Sequence, residues 1–278
     1  MTAAALQVTT RPDRPLSGDP QPPHRLHPSL YVAELVGTLL LVALGLSTII
    51  ALWGTGGPFA SLPLAPGTRR FLNGLLFGST GAALAYSPLG RVSDCHINPA
   101  MTFAFWLEGR LRWRDASCYV AAQLLGGALG AVCLLAWGQT GASLHWGATV
   151  PARQLPLLYA IAGEVVSTFL LVALIFISAS NRRSQPFTPL VTPPLFAILS
   201  WCEGPVSGAS ANPARSFGPE LVGWMWSDWW VYWLGPLIGA ALAVAFVRYE
   251  VLGPHRPFQA RLFHFGHHGG TMRKQSGS

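Results

Sequence analysis

Charge is scarce in this chain of 278 residues: only 10% are charged, against roughly 25% in a typical soluble domain. With 51% hydrophobic residues and a mean hydropathy of +0.39, that scarcity excludes an ordinary soluble surface and indicates a membrane class. Cysteine is also sparse. Cys95, Cys118, Cys133 and Cys202 lack zinc-ligand spacing, so free thiols are expected, with no disulfide framework and no metal centre. No cofactor is implied, and no catalytic constellation marks an enzyme. The first 27 residues are rich in Pro and Arg but lack the apolar core of a signal peptide, so no cleavage is expected. His255, His264, His267 and His268 read as part of a solvated tail, because no carboxylate or Cys completes a metal site around them. No nucleic-acid motif is found. The net charge of +7 is read as topology and contact with anionic headgroups.

What the chain does have is long apolar segments, at about 30–53, 71–89, 116–137, 157–178, 189–205 and 229–247, each long enough to span a bilayer. The fifth has the least certain start, because Pro189, Pro193 and Pro194 stand there. An even number of spans puts both termini on one side. Arg11, Arg14, Arg25, Arg91, Arg110, Arg112, Arg114, Arg182, Arg183, Arg248, Arg256, Arg261, Arg273 and Lys274 fall on that side, and only Arg69, Arg70 and Arg153 on the other. The positive-inside rule then makes both termini cytoplasmic. The expected organisation is a cytoplasmic N-tail over 1–28, a transmembrane domain over 29–252 with halves of about 29–138 and 157–250, and a C-tail over 253–278.

Asn-Pro-Ala occurs twice, as Asn98-Pro99-Ala100 and Asn212-Pro213-Ala214, each inside an apolar stretch. Pro suits the first helical position, where its missing N–H has no partner to lose, and Asn is a favoured N-cap. Each motif therefore starts a helix, over 98–107 and 212–221. Ten residues rise about 15 Å, half of a roughly 30 Å hydrocarbon core. Two such half-helices meet near the midplane.

The two motifs stand 114 residues apart, and other segments repeat as well. The stretch from Tyr31 through Glu34 resembles that from Ile161 through Glu164, and Leu125-Gly126-Gly127 with Gly130 resembles Leu234-Gly235-Pro236 with Gly239. The spacing of Gly126 with Gly130, and of Gly235 with Gly239, lets helices approach closely in lipid. Three spans per half is an odd number, so the second half runs inverted through the membrane, with the working site at the midplane between the repeats.

These features together resemble the aquaporin, or major intrinsic protein, family over roughly residues 30–250. The resemblance is carried by the twin Asn-Pro-Ala motifs, Arg215 three residues after the second Asn, the Ser216-Phe217-Gly218-Pro219 that follows, and the Glu in each half's first helix. It implies an all-α membrane protein of six transmembrane helices plus two re-entrant half-helices. The assembly it implies is a homotetramer with one pore per subunit, conducting water and small neutral solutes. It also implies a selectivity filter of Phe77, Ser200, Ala209 and Arg215. Ser216 after the filter Arg and the Tyr232-Trp233 pair favour water over glycerol, while the small Ser200 and Ala209 suggest a wider filter unless Trp201 turns inward.

On physical grounds, each Asn caps its half-helix through the side-chain oxygen and keeps its NH₂ group for the lumen. The half-helix N-termini, each about +0.5 of a charge, repel cations. Arg215, costly in lipid unless it lines water or is paired, forms a second barrier, the alternative being an ion pair with Glu220. Glu34 and Glu164 lie in apolar helices where an unpaired carboxylate is costly; the resemblance implies that they accept hydrogen bonds that hold the motif loops, a proton relay being the alternative. By the same resemblance His96 is expected to steady the first loop or line its vestibule and Gln123 to bond within the bundle. Asp94 stands where the family has Gly, and Cys95 mirrors Ala209 and is the candidate pore thiol. The location expected is the plasma (inner) membrane. Alternatives to the water channel are a glycerol-type facilitator, a coupled transporter and a non-conducting scaffold.

Overall fold

The computed structural model describes residues 26–249. The expectations for the N-tail and for the C-tail with its four histidines lie outside these residues. Among the described residues every regular element is helical.

The first rod, Pro28–Trp53, consists of α1 (Pro28–Leu40), a π-turn (Leu41–Gly45) and α2 (Leu46–Trp53). It is followed by α3 (Pro66–Tyr86), the short α4 (Pro88–Ser93) and the half-helix α5 (Pro99–Leu107). Next come α6 (Trp113–Leu134), the five-residue α7 (Gly138–Ala142) and the long α8 (Leu157–Ser180). The described residues end with α9 (Thr192–Cys202), the second half-helix α10 (Pro213–Gly223) and α11 (Val231–Arg248). Pro28–Trp53, Trp113–Ala142, Leu157–Ser180 and Val231–Arg248 are long and apolar enough to cross a membrane by length and composition. The fifth span starts irregularly, with a 3₁₀ segment Gln185–Val191 before an α-helix of 11 residues. Pro186, Pro189, Pro193 and Pro194 withhold the donors a regular ladder needs.

Helix α1 packs on α6, α8 on α11, and α3 on α9. Glycine sets the closeness. A Cβ on Gly126 would lie 2.3 Å from the Leu35 carbonyl oxygen, and one on Gly239 would lie 2.3 Å from that of Val165. Leu35 and Val165 stand at the same 130-residue separation as Glu34 and Glu164. Gly126 is therefore the structural counterpart of Gly239. The likeness of Gly126 to Gly235 in the sequence is displaced by one helical turn, because glycines recur every four residues on this face.

Both ends of the described chain lie on one face. His27 meets Asp115 at the start of α6, and Arg248 at the end of α11 donates to the Leu107 carbonyl at the end of α5. On the opposite face Arg69, expected in a loop, is buried in the first turn of α3. Its guanidinium donates to the carbonyls of Leu52, Ala60 and Leu62 and fastens the connection between α2 and α3.

Candidate functional site

The half-helices meet N-terminus to N-terminus. Asn98 accepts from Ala100 N at 2.9 Å, and Asn212 accepts from Ala214 N at 3.1 Å and Arg215 N at 3.3 Å. Pro99 and Pro213 occupy the first helical turn, and Ala100 and Ala214 are fully buried. The NH₂ groups are not wholly free, as the sequence reading had them. Asn98 Nδ2 donates to the Ala211 carbonyl at 2.8 Å and Asn212 Nδ2 donates to the Ile97 carbonyl at 2.9 Å. Each amide carries two hydrogens, so one remains on each.

Behind each loop lies a buried carboxylate. Glu34 Oε1 accepts from Ser93 Oγ at 2.7 Å and His96 N at 2.9 Å, while Oε2 accepts from Ile97 N and Gln123 Nε2, both at 2.7 Å. Glu164 Oε1 accepts from Ser207 Oγ at 2.6 Å and Ser210 N at 2.8 Å, and Oε2 accepts from Ala211 N at 2.8 Å. Ser93, His96 and Ile97 each lie 114 residues before Ser207, Ser210 and Ala211, so one bonding scheme is built twice. Gln123 is the exception, its nearest counterpart being Pro236, which has no amide to offer. The Gln123 amide also donates to Thr102 Oγ1 at 2.9 Å, and His96 Nδ1 lies 3.2 Å from the same hydroxyl.

Sequence reasoning missed several members of this scheme. Tyr119 donates to the Ser93 carbonyl at 2.8 Å and Tyr232 to the Ser207 carbonyl at 2.6 Å. Thr149 and Ser210 both lie within hydrogen-bond distance of Ser216 Oγ, at 2.7 and 2.6 Å. The 114-residue offset contained the signal for Ser93 and Ser207.

The backbone repeats too. Asp94, Cys95 and Ile97 have positive φ of 71°, 53° and 40°, and Gly208, Ala209 and Ala211, each 114 residues on, have 98°, 52° and 49°. Asp94 thus takes the left-handed conformation that Gly takes in the second loop. Asp is among the few non-glycine residues that enter this region readily.

A cavity of about 70 Å³, room for several waters, runs from the asparagine pair toward the face bearing the chain ends. Phe77, Cys95, His96, Asn98, Phe196 and Asn212 line it. The Phe77 ring rests on the π-turn, where a Cβ on Gly45 would come within 2.7 Å of it. On the far side of Phe77, the Arg215 guanidinium carbon stands 6.0 Å from the ring centre, and Nη1 donates to the Gly147 carbonyl at 3.0 Å. The Glu220 alternative is not realised: no Arg215–Glu220 ion pair forms, and both Glu220 carboxylate oxygens are buried without a hydrogen bond. Ala209 is buried, and Ser200 is packed where a Cβ on Gly74 would come within 2.6 Å of its Cβ. Neither Ser200, Ala209 nor Arg215 lines the cavity itself. Trp201 is 56% exposed, and its indole lies over Gly67 in the first turn of α3. The structure therefore brings five sequence-predicted residues around one cavity, sets Glu34, Glu164 and Gln123 behind it, and places Arg215 beyond Phe77.

This geometry has close relatives. The chain is 35% identical over 235 residues to Aquaporin AqpM of Methanothermobacter marburgensis, covering 78% of this chain and 95% of that protein. It is 38% identical over 232 residues to Probable aquaporin TIP3-2 of Oryza sativa subsp. japonica, covering 81% of this chain and 82% of that one. The solved aquaglyceroporin of Plasmodium falciparum superposes with a TM-score of 0.66 at 18% identity, over 80% of this chain and 96% of that one, a likeness of fold. Residues 27–247 match the family model described as Major intrinsic protein. With its paired half-helices and twice-built loop scheme, the chain belongs to the major intrinsic protein family.

Proposed function

We propose that this protein is a passive membrane channel that conducts water between Asn98 and Asn212 and excludes ions and protons. The observation that carries the reading is that each amide keeps one hydrogen while its other is committed to the opposite loop. A water oxygen at the midplane accepts from both, and its own hydrogens then point away from the pair. Two half-helix N-termini, each about +0.5 of a charge, face that water, so a hydronium or metal cation meets repulsion from both sides. Glu34 and Glu164 are acceptors that hold the loops in place, with His96 and Gln123 as supports. No proton relay is needed, since each carboxylate is engaged by loop donors.

Phe77, Ser200, Ala209 and Arg215 form the selectivity filter in this reading, Arg215 supplying a fixed charge and Phe77 the wall opposite. The small Ser200 and Ala209 favour a second, narrower claim: small neutral solutes pass along with water. The channel acts as a homotetramer in a lipid bilayer, with both termini cytoplasmic in the plasma (inner) membrane, and performs no enzymatic step. The arginine asymmetry supports this orientation.

Stopped-flow light scattering of proteoliposomes tests the reading. Under an impermeant osmolyte, vesicles carrying the protein are expected to shrink faster than empty ones, in proportion to the gradient. Saturable, gradient-coupled uptake would assign a transporter, and intact tetramers without flux a scaffold. Re-swelling in glycerol separates the wider filter from the strict water filter.

A further inference from the structure

The two motif loops share one bonding scheme, but the corner where each half-helix starts is closed differently. Thr102 and Ser216, 114 residues apart, hold equivalent places. Thr102 is held by the Gln123 amide of α6 at 2.9 Å. Ser216 is held instead by Thr149 Oγ1, at 2.7 Å, from the irregular connection between α7 and α8. Thr149 is buried, and its methyl carbon lies 3.0 Å from where a Cβ on Gly208 would stand.

The protons give this corner a direction. Ser216 Oγ also lies 2.6 Å from Ser210 Oγ, which donates to the Asn212 carbonyl at 3.0 Å. Three hydroxyls, each with one proton, serve three contacts, and a carbonyl cannot donate. Thr149 therefore donates to Ser216, Ser216 to Ser210, and Ser210 to the residue that caps α10.

The same connection holds the side chain next to Ser216. His145, Trp146 and Gly147 have consecutive positive φ of 47°, 52° and 79°, and two of the three are non-glycine residues, for which that region is unfavourable. The turn aims the Gly147 carbonyl at Arg215 Nη1, 3.0 Å away, the one hydrogen bond of the guanidinium among the described residues. Trp146 wedges the turn between α7 and the end of α10: a Cβ on Gly141 would stand 3.0 Å from its indole, and one on Gly223 3.5 Å. Gly147 and Thr149 thus grip the neighbouring residues Arg215 and Ser216.

We propose that Thr149 is a positioning residue for Arg215: its hydroxyl chain pins the connection to α10, and the pinned turn keeps the guanidinium against the wall of the pore. Released from Gly147, a long flexible cation has water as its remaining hydrogen-bond partner and swings into the path. The proposal rests on the channel reading above.

A double-mutant cycle in proteoliposomes tests it, with Thr149→Val, which keeps the shape and removes the donor, and Arg215→Ala. Thr149→Val is expected to lower water permeability by roughly threefold or more, the scale of coupling within one hydrogen-bond network, and Thr149→Ser to restore it. In the Arg215→Ala chain, with no guanidinium to stray, Thr149→Val is expected to change permeability little. An equal fractional loss in both backgrounds would make Thr149 merely structural and overturn the proposal, as would undiminished flux in Thr149→Val. If that variant does not assemble, Trp146→Leu, which loosens the same turn, takes its place with the same two outcomes. An unaltered chain that passes no water removes the channel reading and this proposal with it, whereas a conducting chain without the coupling removes this proposal alone.

Discussion

Asn98 donates to the carbonyl of Ala211, the residue just before the other capping asparagine, at 2.8 Å, and Asn212 returns the bond to Ile97 at 2.9 Å. Each asparagine therefore ties its own half-helix and the opposite loop together with one side chain.

Asn98→Ala removes a cap and a cross-loop donor at once. Loss of the cap costs about 1 kcal/mol, and the buried Ala211 carbonyl loses its partner as well. Thermal unfolding in detergent is expected to shift downward, and stopped-flow water permeability to fall. Pairing it with Asn212→Ala is expected to cost less than the sum of the single changes, since both act on one joint. Strict additivity would show that the two bonds are energetically separate.

Glu34→Gln keeps the size of the side chain but turns one acceptor oxygen into a donor. The two oxygens of Glu34 together accept four hydrogen bonds, so at least the Ile97 N–H or the His96 N–H is left facing another donor. An orphaned buried donor costs about 1–3 kcal/mol. Gln123 can turn its unpartnered Oε1 toward the new amide, so Glu34→Gln with Gln123→Ala is expected to be worse than Glu34→Gln alone. Denaturation midpoints of these two variants and of Gln123→Ala alone decide this.

Gly127 is the seat of the second half-helix. A Cβ there would come within 2.4 Å of the Ala214 carbonyl oxygen, which is backbone and has no rotamer to yield. Gly127→Ala is expected to destabilise by about 1–3 kcal/mol through overpacking. Gly81→Ala in α3, whose nearest new neighbour is 3.9 Å away, is expected to be neutral or stabilising by up to about 1 kcal/mol. Equal melting temperatures for the two variants would refute the close seat.

Cys95 is the thiol in the cavity wall, while Cys133 and Cys202 are exposed on the outside. A mercurial is expected to lower water permeability in the unaltered chain and to have no effect on Cys95→Ser. Full inhibition of Cys95→Ser would move the block to another thiol.

The six spans and both half-helices could be read from the sequence, because Pro and Asn have few roles inside an apolar run, and buried Glu in such runs must meet donors. Tyr119 and Tyr232 could not. A tyrosine near a helix end in a membrane protein reads as an interfacial anchor, and nothing local marks its hydroxyl as the donor to a loop 26 or 25 residues away. The π-turn at Leu41–Gly45 was equally hidden, since the Phe77 ring that packs against its Gly45 comes from another helix. Arg69 looked like a loop charge because its carbonyl partners become neighbours only once α2 and α3 fold back. Glycine periodicity misled by one turn for the opposite reason: it carried too many equivalent registers, and only contact with Leu35 and Val165 selects among them.

The reciprocal bonds also set an order for synthesis. When the first half has been made, Asn98 and Ile97 have a donor and a carbonyl whose partners, at Ala211 and Asn212, do not yet exist. The first re-entrant loop must hold that unfinished joint, supported by Glu34 and Tyr119 from its own half, until the second motif, 114 residues after the first, has been inserted.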